Sequence, residues 1–138
     1  MQRLARLSAA VLVLAGGLVH LQVWQGGYQG IPYIGPLFLV NVVASGVIGI
    51  GLLVRGDRWS TLPAVALAVG SLLALAASRT VGLLGFMEGV WTPEAFRTIA
   101  AEVGAIVAIG LVVATHNRAR ALAPIPALAR IPAPAGRR

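Results

Sequence analysis

The chain has 138 residues, 58% of them hydrophobic and only 11% charged, with a formal net charge of +7 and a mean hydropathy of +0.87. A soluble domain of this size carries about 25% charged residues, so that class is excluded. Cysteine is absent, which removes disulfides, thiol redox chemistry, zinc–thiolate sites and covalent haem attachment.

The first apolar run spans residues 7–24. Crossing the hydrocarbon core of a bilayer takes about 20 apolar residues of helix, so this run predicts a transmembrane helix. Arg3 and Arg6 before it also suit a secretory signal peptide, but no small-x-small cleavage site follows, and a retained helix is expected. His20 lies one turn before Trp24, and Gly16, one turn below, leaves room beside its ring. The loop over residues 25–36 has no formal charge, and its glycines and prolines break helix. Tyr28 and Tyr33 suit the headgroup level. A short connection is the plain reading of this loop, and a lid or binding loop the alternative.

The second helix is expected over residues 36–54, starting at the Gly35–Pro36 step. Asn41 sits a turn and a half in, and Ser45 and Gly49 continue its face. A third helix is expected over residues 62–84, with Ala66, Gly70, Ala74 and Ser78 at spacing four and Arg79 near its end. The fourth, over residues 93–115, has Thr92 to cap it, Pro93 in the first position and Glu94 at the positive end of the dipole. It repeats the small-residue spacing at Ala100, Gly104 and Ala108. Such stripes let helices approach closely in lipid. They predict packing within a four-helix bundle, with an oligomer interface as the alternative. The tail from residue 117 to 138 alternates Ala, Pro and Arg and reads as extended or disordered.

All eleven basic residues are arginine. Only Arg79 and Arg97 fall on one side of the proposed membrane; the others precede helix one, join helices two and three, or follow helix four. Cytoplasmic loops are the basic ones. The expectation is therefore an all-α, integral membrane four-helix bundle of a bacterial inner membrane, with both termini cytoplasmic. Trp24, Tyr28, Tyr33 and Trp91 then lie at the outer surface and Trp59 at the inner one. The partners expected are the bilayer, other membrane subunits or further copies of the chain, and anionic headgroups at the basic tail. With its arginines at helix ends, the chain is not expected to bind nucleic acid.

Chemistry must come from the few polar groups at membrane depth. Glu102 lies nine residues past Pro93, about 13 Å down the helix. An acid there costs ~2.5 to 3.5 kcal/mol on insertion scales, so it must face the bundle and find a partner. His20, Asn41 and Arg79 lie toward the same half. If helix three runs to Leu84, Arg79 needs an acid, and Glu102 is the one at comparable depth. The predicted cluster is therefore His20, Asn41, Arg79 and Glu102, one residue from each helix. It is either a clasp that fixes helix register or a site open to the outer face, unless Arg79 snorkels away. No cofactor or metal is expected: His20 and His116 fall near opposite faces and cannot share a haem, and a His20–Met87 pair is the one other axial combination.

The run GGYQGIPYIGPLFLVN, residues 26–41, together with VGLLGFME, residues 81–88, resembles small four-helix membrane proteins common in actinobacteria and without an assigned activity. The connection over residues 54–62 between small-residue-rich helices is also similar to the DoxX-like group, which implies association with membrane oxidoreductase systems. Three functions follow as expectations. The first is a non-catalytic accessory or assembly subunit of a larger membrane complex, which needs packing faces and few polar groups. The second is a small oligomeric proton- or cation-coupled transporter or channel using Glu102. The third is a redox-linked protein binding quinone or haem.

Overall fold

The computed structural model describes residues 2–121, and among them it is all-helical, with no strand. Four long helices follow one another: α1 (Gln2–Gln25), α2 (Ile34–Val54), α3 (Arg58–Thr80) and α4 (Pro93–Ala121). Each is long and apolar enough to cross a membrane. Even the shortest, α2 with 21 residues, reaches about 30 Å, the thickness of a hydrocarbon core.

The helix ends follow local chemistry. Asp57 accepts the Ser60 amide at 3.2 Å at the start of α3, and the Ser60 hydroxyl donates back to the Asp57 carbonyl at 3.0 Å. Thr92 caps α4 by accepting the Ala95 amide at 3.3 Å, as the sequence predicts. α1 starts ahead of Leu7, because Arg3 and Arg6 favour helix and nothing interrupts them. α3 stops at Thr80, short of the expected Leu84. Gly82 takes a left-handed φ of 86° there, and its amide reaches back to the Ala77 carbonyl at 2.8 Å. α4 runs on to Ala121, so the first residues of the expected tail are helical. The rest of that tail lies outside the described residues.

α1 packs along α2 on one side and α4 on the other, while α3 sits across from it and touches α2 and α4 less extensively. Glycine permits the close approaches of α1. A Cβ on Gly17 would stand 2.6 Å from the Ser45 Cβ, and one on Gly49 would meet Leu14 at 2.7 Å. The buried apolar core lies in the half of the bundle nearest the N-terminus, called here the terminal end. It is built from Ala9, Ala10, Val13, Leu52, Ala64, Ala105, Ala108 and Ile109. The outward face of α2 carries Val40, Val43, Val47 and Ile50, all exposed, as suits contact with lipid.

Candidate functional site: a cavity beneath the loops

Toward the opposite end, under the two longer loops, the looser seating of α3 leaves a cavity of about 310 Å³. Sites for small organic molecules commonly run from roughly 300 to 1,000 Å³. Leu37 and Val40 of α2 and Ala66 and Gly70 of α3 line the cavity and are exposed as well, so it opens sideways between these helices. The small-residue stripe of α3 therefore does not close a helix interface. Ala66, Gly70, Ala74 and Ser78 all line the cavity, and a Cβ added to Gly70 would meet nothing within 4 Å. The α4 stripe differs within itself: Ala108 is core and Gly104 faces Leu12, but Ala100 is exposed.

A polar belt separates the cavity from the dry core. The Asn41 amide donates to the Ser71 hydroxyl oxygen at 2.7 Å, and the Ser45 hydroxyl donates to Asn41 Oδ1 at 3.1 Å. Ser71 in turn donates to the Leu67 carbonyl at 2.9 Å, and its hydroxyl oxygen lies beside the Glu102 carboxyl. Glu102 is 4% exposed. Its Oε1 lies 3.3 Å from where a Gly16 Cβ would stand, so only glycine admits it without displacement. On the other side of Gly16, His20 Nδ1 meets the Gly16 carbonyl at 2.8 Å. A carbonyl only accepts, so the ring proton is on Nδ1. In the neutral ring Nε2 then carries a lone pair, and no hydrogen bond to it is formed among the described residues.

Three of the four residues of the predicted cluster belong to this belt. Asn41 and Glu102 meet through Ser71, and His20 and Glu102 flank Gly16. His20 and Asn41 line the cavity, whereas Glu102 lies below its floor. Arg79 does not join them. Because α3 ends at Thr80, Arg79 sits in the last turn, where its Nη1 donates to the Val90 carbonyl at 2.6 Å and its guanidinium lies 4.3 Å from the Trp91 ring centroid. The α3 member of the belt is Ser71. Its sequence signal is weak, a serine seven residues before Ser78 and so on the same face.

The loops close over the cavity through side chains. The Tyr28 hydroxyl donates to Glu88 Oε2. The Tyr28 ring stands 5.4 Å from Phe38 and 5.7 Å from Phe86, and Phe38 stands 5.3 Å from the His20 ring, so four rings line one wall. The Tyr28 hydrogen bond holds the Glu88 carboxyl below its ordinary range. Burial, then the bond to Glu88, pushes the Tyr28 hydroxyl up to about 12. Tyr33 is exposed and carries a left-handed φ of 63°. Trp91 stacks on Phe96 at 5.5 Å. Met87 is exposed on its loop, while His20 is buried. Comparison of the chain with protein-family models, curated proteins and solved structures returned no match.

Proposed function

We propose that the protein is a multi-pass protein of a bacterial plasma membrane, with cytoplasmic termini, that holds a small amphipathic molecule in the loop-end cavity. It does so without catalysis, as an accessory subunit of a larger membrane complex. One observation carries this reading: a cavity of about 310 Å³ that opens sideways between the exposed faces of α2 and α3 while its floor is polar. The arginine distribution supports the orientation. Protein purified in mild detergent should release one enriched lipid-soluble compound on organic extraction. Ala74→Phe, which fills the cavity, should lose it. Equal recovery from both proteins would sink the binding reading, and purification free of larger subunits would sink the accessory role. A reporter after Arg138 should be cytoplasmic and one at Gly27 extracytoplasmic; the reverse overturns the orientation.

A second reading, a proton- or cation-coupled transporter, is favoured by the burial of Glu102 directly below the cavity. The apolar core of the terminal half offers no continuation of a polar path. This reading therefore requires a second conformation that opens the terminal end. Cation uptake into vesicles that is lost in Glu102→Gln would support it, and uptake unchanged in that variant would end it.

A further inference from the structure

We infer that the cavity takes a neutral, lipid-soluble molecule whose head is a ring with a free phenolic hydroxyl, a tailed hydroquinone, and that His20 Nε2 accepts its O–H. The inference rests on reading the cavity as a binding site. Its first support is the hydrogen-bond inventory of the belt. The hydroxyl hydrogens of Ser45, Ser71 and Ser78 are already given to Asn41, to the Leu67 carbonyl and to the Leu75 carbonyl. The His20 Nδ1 hydrogen is given to Gly16. What remains is an acceptor, His20 Nε2, together with one N–H of Asn41 and the hydroxyl hydrogens of Thr92 and Thr98 on the cavity wall. A hydroxyl is the smallest group that donates to the first and accepts from the second.

The charged groups near the mouth argue against an ionic head. The Glu88 carboxyl accepts from Tyr28 and from the Val90 amide, and Glu94 pairs with Arg97 at 3.5 Å. Arg79 Nη1 donates to the Val90 carbonyl, its guanidinium lies against Trp91, and its Nε is buried without a partner. Arg79 and Glu88 are close enough to offset each other electrostatically, so an ionic head would have to draw one from the other and would lose its hydration. The wall of four rings, His20, Phe38, Tyr28 and Phe86, offers faces and edges to a flat ring. The sideways opening past Val40 and Gly70 gives an apolar tail an exit into lipid.

Calorimetric titration of the full chain in detergent tests this with three probes, corrected for partition into micelles. They are decyl-hydroquinone kept reduced, its dimethyl ether, and unsubstituted hydroquinone. The tailed hydroquinone should bind about tenfold tighter than the ether, the size of one buried hydrogen bond left unmade. In His20→Phe, which keeps a ring and removes the acceptor, that ratio should fall to within about twofold. Equal binding of hydroquinone and ether by the wild-type protein overturns the hydroxyl assignment and leaves the binding reading standing. This comparison needs no variant, so it decides even if His20→Phe does not fold. Equal binding of the tailed and unsubstituted compounds makes the source a soluble phenol and overturns the lipid-soluble part. Binding of no probe, with no compound lost on Ala74→Phe, overturns the inference and the binding reading together.

Discussion

The two halves of the bundle use similar residues to opposite ends. In the terminal half, Ala9, Ala10, Ala64, Ala105 and Ala108 are buried, and glycines let α1 press against its neighbours. In the loop half, Ala66, Gly70 and Ala74 sit at the same helical spacing and face empty space. The difference comes from what stands opposite. Leu14 and Leu12 fill the hollows at Gly49 and Gly104, and no side chain reaches Gly70. A small residue is therefore permission for contact, and whether contact follows depends on the partner helix. In lipid, where no hydrophobic force pulls helices together, an unfilled hollow can persist as a site.

The largest expected effect tests whether the terminal half is as tightly packed as this contrast requires. Ile109→Ala removes a side chain that is 2% exposed in the core and should cost about 2 to 5 kcal/mol in detergent unfolding. Leu75→Ala on the cavity wall should cost about 1 kcal/mol or less, because it enlarges a space already present. Equal costs would erase the distinction. The reverse substitution sharpens it. Ala108→Leu overpacks the core and should destabilise by about 1 to 3 kcal/mol, whereas Ala74→Leu should be close to neutral. Melting temperatures of the pair, measured side by side, read the difference directly.

A smaller effect concerns the loops. Glu88 has a lowered folded-state pKa, so its contribution to stability is present above its ordinary value of 4.5 and is lost as pH falls through the lower folded-state value. Tyr28 is raised from 10.0 to about 12, so its contribution is full below 10 and is lost as pH rises through about 12. The Tyr28–Glu88 bond should thus stabilise the loop half over a plateau between these limits. Tyr28→Phe should lower stability there by about 1 kcal/mol or less. Melting curves across pH check this: the gap between wild type and Tyr28→Phe should shrink at both extremes, and a constant gap would refute the assignment. The smallest effect lies at the turn where Leu83 and Phe86 exchange amide hydrogen bonds at 2.7 and 2.8 Å. Leu84 has a φ of 50° and Gly85 one of 81°. Asn-Gly is the favoured pair for such a turn, so Leu84→Asn should raise stability by about 0.5 to 1 kcal/mol. A loss instead would mean that the exposed leucine is anchored in lipid.

Much of the architecture was legible in the sequence, because four apolar runs of membrane length leave few alternatives. The Thr92 cap was legible for a local reason: a threonine three residues before Ala95 needs no tertiary information. The end of α3 was not. Val81, Leu83 and Leu84 continue the apolar run, and they hid the turn that Gly82 and Gly85 make. That error carried Arg79 into the membrane and gave it Glu102 as a partner. His20, Asn41 and Glu102 were found because polar groups at such depth are rare. Ser71 was missed because a serine can satisfy itself on its own helix, as its bond to Leu67 does. The cavity was out of reach for a different reason. Spacing tells which residues share a face, and nothing in one helix tells how far away the next one stands.

The central place of α1 has a consequence for biosynthesis. It lies against both α2 and α4, yet of the four helices it is made before the others and α4 after them. Until the chain beyond Pro93 is made, the side of α1 that carries Leu12 and Gly16 lacks its α4 cover, and Ser71 waits for Glu102. The nascent protein passes through an interval as a three-helix intermediate with an unfilled seam, the kind of species that membrane quality control removes. A chain ending at residue 92 freezes that interval. Its lifetime in a pulse-chase experiment, expected to be shorter than that of the full chain, measures how much α4 contributes as the closing stave.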